Sequence, residues 1–590
     1  MPEDPLEKAS QDINESLTNE ASAPRESPSD DHAVQAHEIK STAHTSSTLN
    51  AIRVTLKQVD AQLHQIESQL QPSVRLQLAH PAPRQLPARQ TWFFSLALLA
   101  AVLVIGVRLF KLNTIQTDLY GDIQIVYQYV DGVRSGSWPF QYVLGVGPIY
   151  HYVILPVIMF TGLNYYGLKL SAVIVSLGAL LTTYALARRL INDSFALLAV
   201  AIAGISSWLL VFSRLGISLI LVPLLVTCAL WLIMRIAQDQ RPADVVACAV
   251  TSAFGLYSYP QSFVLPGVSL ITLVCLRLFG HPISWANLRR FIIVSILGAL
   301  PFMWMVYRSP ESFIHGYIGS KFFAEGDPLR ALIRNIVSAA LAYHVQGDRI
   351  FRSNPAHLPH LDQISGLLFL AGIIFWLQPA RRQWSPVLLV PFVLLHLPSV
   401  LVLGRPTEVP SAGRTLGVAP IAYILVASGL WWLVQYFTKI GRQRVSLVIA
   451  GVFVATIFAL NMQRYFGTYI DGLPYHDTSI GGRIALYADS LPPDTQVYVV
   501  GCCWESSMPE LPFIQLVATR SQNLHALDPK ELTCDQLSLL HEPAVLIWSF
   551  HDPVPAPQIA LCKQWLPAQL YVSPKGLPVF YAAPLLRDRR

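Results

Sequence analysis

The sequence is dominated by repeated apolar runs, many of them long enough to cross a lipid bilayer as a helix. Hydrophobic residues make up 53% of the 590 residues and charged residues 13%, against about 25% charged in an average soluble domain. A chain of this composition is expected to fold across a membrane. Because no basic stripe with interleaved aromatic residues is visible, nucleic acid is not an expected partner.

Eleven apolar runs predict transmembrane helices. They lie at about 92–109, 168–187, 194–212, 216–234, 243–258, 262–279, 291–307, 362–378, 384–403, 415–435 and 445–462. The first run begins only at Trp92, which is too late for a cleavable signal peptide. A shorter stretch at 148–162 is ambiguous, because counting it as a span reverses the side of every later loop.

Basic residues decide the orientation, since they collect in cytoplasmic loops. If 148–162 does not cross and the N-terminus is cytoplasmic, the loops that follow the predicted spans ending near 187, 234, 279, 378 and 435 face the cytoplasm. Those five loops hold Arg188, Arg189, Arg235, Arg241, Arg277, Arg289, Arg290, Arg381, Arg382, Lys439, Arg442 and Arg444. We therefore interpret 148–162 as an extracytoplasmic interfacial helix and expect a protein of a bacterial-type plasma membrane.

This topology divides the chain into three parts. Residues 1–90 are polar and are expected to form a disordered cytoplasmic extension, with a possible short coiled coil at 49–70 that could bind a cytoplasmic protein. Residues 91–463 form the transmembrane domain, with outer loops at 110–167 and 308–361. Residues 464–590 predict a small extracytoplasmic α/β domain.

Four segments carry the prediction for the last domain. "TQVYVVG" and "PAVLIWSF" are typical of strands, "ELTCDQLSLL" of a helix, and "LYVSPKGLPVFYA" of a hairpin that turns at Lys575 and Gly576. The domain also contains Cys502, Cys503, Cys534 and Cys562, so an oxidising compartment would permit one or two disulfides of undetermined pairing. Cys228, Cys248 and Cys275 lie in apolar runs and are expected to be buried thiols.

Two carboxylates, Asp118 and Asp122, follow the first apolar run closely. The segment "DIQIVYQYVDGVRSG" predicts an amphipathic helix on the membrane surface, with Asp122 at its start. There the carboxylate could simply cap the helix. Alternatively, a carboxylate at the hydrocarbon boundary could act as a general base whose basicity is raised by desolvation.

The segment "RLFKLNTIQTDLYGDIQIVYQYVDGVRSGSWP" resembles the first outer loop of the family 39-like membrane glycosyltransferases of the GT-C class. Relatives in that class include protein O-mannosyltransferases, the bacterial aminoarabinose transferase and, more distantly, oligosaccharyltransferase. Later segments are similar in the same order over about 92–465. They are "GPIYHYVILPVIMFTG", "SRLGISLILVPLL", "GLYSYPQSFVLP", "QGDRIFRSNPAHLPHLDQISGLLFLAGI" and "GRTLGVAPIAYILVASGL". The resemblance implies a polyprenyl-phosphate sugar donor and places the catalytic aspartate at Asp122.

The sequence also departs from that family. Ile123 stands where a second acid is usual, and Gly147 stands where another acid is often found. Asp118 is a possible second acid that could substitute for a lost carboxylate. No cofactor is firmly predicted, but a divalent metal is possible, held by His344 with Asp348 or by His357 with His360 and Asp362. Neither spacing matches a recognised ligand signature.

Further candidates lie at the outer membrane boundary. Arg214, Arg352 and Arg414 could bind the donor phosphate through the guanidinium fork, or could simply extend to the interface as lipid-facing arginines do. Tyr257, Tyr259 and His151 are candidates for lining the substrate site, although aromatic belts of membrane proteins explain the tyrosines equally well.

The sequence thus predicts an all-α polytopic membrane protein of about eleven spans with a small α/β domain. The predicted function is transfer of a hexose or pentose from a polyprenyl-phosphate donor to a protein, lipid or glycan acceptor on the extracytoplasmic face. Two alternatives stay open: a transporter or flippase for a lipid-linked substrate, and a catalytically silent assembly protein. The transporter would place charged residues deep within spans, whereas most charges here lie at span ends and in loops.

Overall fold

The computed structural model describes most of the chain from residue 87 onward. The described ranges are 87–115, 121–138, 140–142, 145–310, 313, 319–322, 326–473, 480–501, 504, 511–541, 543–551 and 567–585. The predicted N-terminal extension with its coiled coil, Asp118, Cys502, Cys503 and Cys562 lie outside them.

Helices dominate the described residues. The helices before the C-terminal domain are α1 Pro87–Leu109, α2 Gly121–Arg134, α3 Ile149–Thr161, α4 Tyr165–Leu190, α5 Asp193–Ile205, α6 Ser207–Ser213, α7 Leu221–Asp239, α8 Pro242–Phe254, α9 Leu265–Leu278, α10 Trp285–Arg308, α11 Gly319–Phe322, α12 Pro328–Leu341, α13 Gln363–Leu377, α14 Pro386–Leu394, α15 Leu397–Val400, α16 Ala419–Lys439 and α17 Gln443–Met462. After α17 the chain continues through the π-helical turn Gln463–Tyr469 and α18 Ile470–Gly472. The C-terminal helices are α19 Ile480–Ser490, α20 Leu511–Val517 and α21 Cys534–Ser538.

Six helical segments of the described residues are long and apolar enough to cross a membrane, or seven if the bent pair α5 and α6 forms one span. The segments contain α4, α7, α9, α10, α16 and α17. These segments indicate an integral membrane protein. The other four predicted spans coincide with shorter apolar helices, so the count of eleven remains a prediction. Helix α3, with 13 residues or about 20 Å of helix, belongs to the same group of shorter apolar helices, so its interfacial position also stays a prediction.

The core of the transmembrane domain depends on close backbone contact between α13 and α16. A Cβ atom built on Gly372 of α13 would lie 1.8 Å from the carbonyl oxygen of Leu425 in α16. Reciprocally, a Cβ on Gly429 of α16 would lie 2.1 Å from the carbonyl oxygen of Leu368. Small residues that let two backbones approach are typical of helix pairs in membranes, where apolar burial alone does not drive association.

Helix α2 has the amphipathic character predicted for the first outer loop. Ile123, Val126 and Val130 are at most 1% exposed and pack into the main hydrophobic core together with Tyr150 and Ile154 of α3. The apolar face of α2 therefore packs on protein, where the sequence alone predicted the membrane surface. This packing fixes the start of α2, and with it Asp122, to the rest of the domain.

The C-terminal region contains a five-stranded sheet formed by β1 Gln496–Val500, β2 Leu524–Leu527, β3 Ala544–Ser549, β4 Gln569–Val572 and β5 Pro578–Pro584. The strand order is β2-β1-β3-β5-β4; β1 is parallel to β2 and β3, and β5 is antiparallel to β3 and β4.

The predicted strands are confirmed as β1 and β3, the predicted helix as α21, and the predicted hairpin as β4 and β5. Gly576 supplies the left-handed turn of that hairpin, at φ +76°. The sequence analysis missed β2, which has only four residues. Cys534 is disulfide-bonded. Cys228, Cys248 and Cys275 are free thiols.

Candidate active site

Asp122 lies in the first turn of α2 and is half-buried. Removal of the carboxylate from water raises its pKa to about 6, although Lys321 and Arg352 act in the opposite direction and favour the charged form. With that pKa, about nine-tenths of the carboxylate is ionised at pH 7, yet it is far more basic than an exposed aspartate. This combination suits a general base.

Lys321, in α11, belongs to a group of charged side chains held around Glu408. The Lys321 Nζ lies 2.8 Å from Oε2 of Glu408, and Arg414 donates from Nη2 to the same oxygen. Arg405 approaches the other carboxylate oxygen at 3.6 Å. Three cations surround the single negative charge of Glu408, so the group has a net positive charge that can attract an anion.

The cations also control the ionisation of Glu408. Burial alone would raise its pKa, but the charges of Arg414 and Lys321 and their hydrogen bonds outweigh burial and hold the pKa of Glu408 below its usual value. Glu408 is therefore a stable anion at neutral pH. Glu408 forms ion pairs with both Lys321 and Arg414. It therefore connects Arg414 to Lys321, whose charge acts on Asp122.

Arg352 completes the set of charges near Asp122. Its guanidinium lies 5.0 Å from the ring centroid of Phe351, and its positive charge lowers the pKa of Asp122. Its carbonyl oxygen accepts a hydrogen bond of 2.8 Å from the hydroxyl of Tyr469, at the end of the π-helical turn. Two of the three predicted arginines, Arg352 and Arg414, thus belong to one electrostatic cluster with Asp122.

Arg214 has a different environment. It is fully buried at the end of α6, and its Nη1 donates to the carbonyl oxygens of Val107, Arg108 and Phe110 at 2.8–3.0 Å. These carbonyls form the C-terminal end of α1, where an arginine stabilises both the orphan acceptors and the helix dipole. The guanidinium of Arg214 is thus committed to the backbone that precedes the Asp122 loop, and we leave it out of the phosphate site.

The predicted lining residues are also engaged in packing. The hydroxyl of Tyr257 donates to the carbonyl of Gly298 at 2.6 Å and accepts from the amide of Phe302. His151 is fully buried, with its ring stacked on Tyr129 at 4.2 Å. Tyr259 is half-buried against the main core. The contacts described for Tyr257 and His151 are packing contacts, so the role of these residues in lining the substrate site stays a prediction.

The missing acids have a structural explanation. A Cβ on Gly147 would lie 2.3 Å from the carbonyl oxygen of Tyr257, so no acidic side chain fits at that position. Ile123, at the position of the other missing acid, is 0% exposed among apolar side chains. A carboxylate there would be desolvated without a partner.

The proposed metal ligands are engaged in other contacts. His344 donates to the carbonyl of Gly366, and Asp362 caps α13 by accepting from the amide of Ser365. Within the described ranges, no group of three or more His, Cys, Asp or Glu side chains is arranged to hold a metal ion. Lys321 and Glu408 were not predicted as members of the site, because neither belongs to a motif or a periodic pattern in the sequence.

No protein-family model matches the chain, and no curated protein sequence matches it. Solved structures are similar. The crystal structure of ArnT from Cupriavidus metallidurans bound to undecaprenyl phosphate is 15% identical, with a TM-score of 0.49 over 85% of this chain and 98% of that chain. The apo form of ArnT is 16% identical, with the same TM-score of 0.49 over 84% of this chain and 98% of that one.

A second protein among the similar structures is the Archaeoglobus fulgidus oligosaccharyltransferase in the apo form. It is 12% identical, with a TM-score of 0.42 over 84% of this chain and 74% of that chain. The resemblance stated from the sequence also named an aminoarabinose transferase and an oligosaccharyltransferase, but at TM-scores of 0.42–0.49 membership of this chain in the GT-C class stays a prediction. At identities of 12–16%, the activity of this chain has to be argued from its own side chains.

Proposed function

We propose that the protein transfers a sugar from a polyprenyl-phosphate donor to an acceptor hydroxyl or amine on the extracytoplasmic face of the membrane. Asp122 is the general base, and Arg352, Arg414 and Lys321 bind the donor phosphate. The observation that carries the proposal is the position of Asp122, a half-buried carboxylate at the start of an amphipathic helix, beside the charges of Lys321 and Arg352.

The proposed reaction forms one bond and breaks one. The acceptor oxygen or nitrogen attacks the anomeric carbon while the bond from that carbon to the phosphate oxygen breaks. The phosphate leaves with the bonding electron pair, and Asp122 takes the proton of the acceptor. Attack opposite to the leaving group inverts the anomeric configuration.

The cationic cluster supplies the electrostatic half of the reaction. When the sugar leaves, the donor phosphodiester becomes a phosphate monoester and gains negative charge. Arg352 and Arg414 present planar donor groups that suit phosphate oxygens, and Lys321 adds a compact charge. Donors that are already in place stabilise the charge that develops in the transition state.

The position of the cluster fits the proposed topology. Asp122, Lys321 and Arg352 lie in the two predicted outer loops, and Arg414 precedes the first turn of α16. The disulfide at Cys534 favours an oxidising compartment for the C-terminal domain, on the same side. We propose that this domain takes part in selecting the acceptor.

The purified protein in proteoliposomes tests this function directly. Undecaprenyl-phosphate sugars carrying a radiolabelled hexose, pentose or aminopentose are offered with envelope lipid and protein fractions as acceptors. The proposal expects release of undecaprenyl phosphate together with labelled acceptor. Movement of intact donor between leaflets without release would favour the flippase alternative, and inactivity with every donor would favour the silent assembly protein.

A further inference from the structure

Asp348 lies in the second predicted outer loop and is 0% exposed. Its two carboxylate oxygens accept from backbone amides in different parts of the chain. Oδ1 accepts from the amide of Ile350 at 2.9 Å, and Oδ2 accepts from the amide of Ala412 at 2.7 Å. One buried side chain therefore joins the loop before α13 to the loop before α16.

Each of these two amides lies two residues before one of the arginines of the proposed phosphate site. Arg352 follows Ile350 by two residues, and Arg414 follows Ala412 by two residues. The position of Asp348 itself is fixed, because its carbonyl oxygen accepts from the amide of His357 at 3.0 Å. One carboxylate thus connects the two backbone segments that carry the arginines.

Each of the two segments that carry the arginines also makes a second hydrogen bond to another part of the chain. The carbonyl oxygen of Ala412 accepts from the indole Nε1 of Trp208 in α6 at 3.1 Å. The carbonyl oxygen of Arg352 accepts from the hydroxyl of Tyr469. Each arginine loop is therefore held against a helical segment, and Asp348 bridges the two.

We propose that Asp348 is a positioning residue: it holds the loops of Arg352 and Arg414 at the separation at which both arginines bind one donor phosphate. This inference rests on the proposed function, since it assigns the two arginines to the donor. Asp348 has no contact with substrate in this role, and it acts through the two backbone amides alone.

The role requires an ionised carboxylate. Both oxygens receive an N–H donor, and an asparagine in the same place would turn its own NH₂ group toward one of them. Burial raises the pKa of Asp348 to about 6, and the negative charge of Glu408 acts in the same direction. The two amide hydrogen bonds and the charge of Arg414 lower the pKa but do not outweigh burial. As the pH falls through about 6, protonation turns one acceptor into a hydroxyl, and one loop is released.

Donor binding is measured without acceptor in an Asp122→Asn background, so that transfer does not consume the donor and Asp122 does not titrate. The probe is an undecaprenyl-phosphate sugar, a phosphodiester that stays a monoanion from pH 5 to 8. Replacement of Asp348 by Asn is expected to weaken donor binding about ten- to hundredfold, because one buried amide loses its acceptor. In the Asp122→Asn protein that retains Asp348, lowering the pH from 8 to 5 should also weaken donor binding.

A purely structural role is separated from positioning by a double-mutant cycle. If Asp348 acts through the arginines, Asp348→Asn has little further effect on donor affinity once Arg352 and Arg414 are both alanine. An equal loss of affinity with and without the arginines overturns the proposal. Should Asp348→Asn fail to fold, the pH dependence decides, and donor affinity that does not change between pH 8 and 5 overturns the proposal.

Failure of the proposed sugar transfer and failure of the positioning role of Asp348 give different results. If the wild-type protein transfers no sugar but binds the donor in a manner that depends on Asp348, the proposed reaction is wrong and the positioning role stands. If the protein binds no donor at any pH, both are wrong. A retained positioning role also predicts that, in an active protein, Asp348→Asn lowers kcat/KM for the donor, because both donor binding and transition-state stabilisation depend on the two arginines, and that this loss shrinks once both arginines are alanine.

Discussion

Lys321 offers a quantitative test of the electrostatics at Asp122, because its charge lowers the pKa of that carboxylate. Replacing Lys321 by Met removes the charge and keeps a similar side-chain length. Loss of one nearby opposite charge should raise the pKa of Asp122 by about one unit. If the base must be ionised, kcat falls as the pH drops through its pKa, so the acid limb of the kcat–pH profile moves from about 6 to about 7.

The predicted change depends on pH in a defined way. Because Lys321 is also proposed to bind the donor phosphate, each kcat is normalised to its own plateau; at pH 6 the wild-type protein then retains about half of its maximum and the variant about one-tenth, a loss of about fivefold, and the normalised curves converge near pH 8. The assay is sugar transfer at saturating donor from pH 5 to 8. Arg405→Met is the matched control, since Arg405 also contacts Glu408 but lies half exposed at 3.6 Å. An acid limb that stays at about 6, or that moves equally in the control, would refute the assignment.

Three further predictions concern the phosphate site, helix packing and topology. Arg352→Ala and Arg414→Ala should each weaken donor binding by about 2–4 kcal/mol if they hold a partly desolvated phosphate, which donor KM and direct binding measure. Gly372→Ala should destabilise the detergent-solubilised protein by about 1–3 kcal/mol through overpacking, whereas Gly451→Ala, whose Cβ would meet open space, should not lower the melting temperature. A cysteine replacing the exposed Leu539, in a variant lacking the native free thiols, should react with an impermeant maleimide in intact spheroplasts; labelling only after permeabilisation would contradict an extracytoplasmic C-terminal domain.

The parts predicted from sequence are those with a strong local signal. The period of apolar residues in α2 predicts both the helix and the face that carries Ile123 and Val126. Alternating and β-branched residues predict β1 and β3, and Lys575 and Gly576 predict the turn between β4 and β5. Local pattern does not reveal whether the apolar face of α2 meets lipid or protein, because both surroundings are apolar.

The charged cluster depends on contacts between distant parts of the chain. Lys321 and Glu408 are separated by 87 positions, and no spacing rule connects them. Arg214 illustrates the converse: its place at a span end suggested a phosphate ligand, but the direction of its side chain follows from the break between α5 and α6, which bends the chain by 64°. The sequence suggested Asp348 only as a metal ligand. Its hydrogen bonds to the backbone amides of Ile350 and Ala412 depend on the fold, and no sequence pattern predicts them.

The central claim is that Asp122 is the base of a sugar transfer. Its most direct test compares kcat for transfer from an undecaprenyl-phosphate sugar by the wild-type protein, Asp122→Asn and Asp131→Asn. Asp131 lies on the exposed side of the same helix, so its variant controls for loss of a charge from α2. We predict that Asp122→Asn lowers kcat by about 10²–10⁴-fold, since a general base is lost, with donor affinity retained and Asp131→Asn close to wild type. Full activity of Asp122→Asn, above all if Asp118→Asn is inactive, would contradict the account.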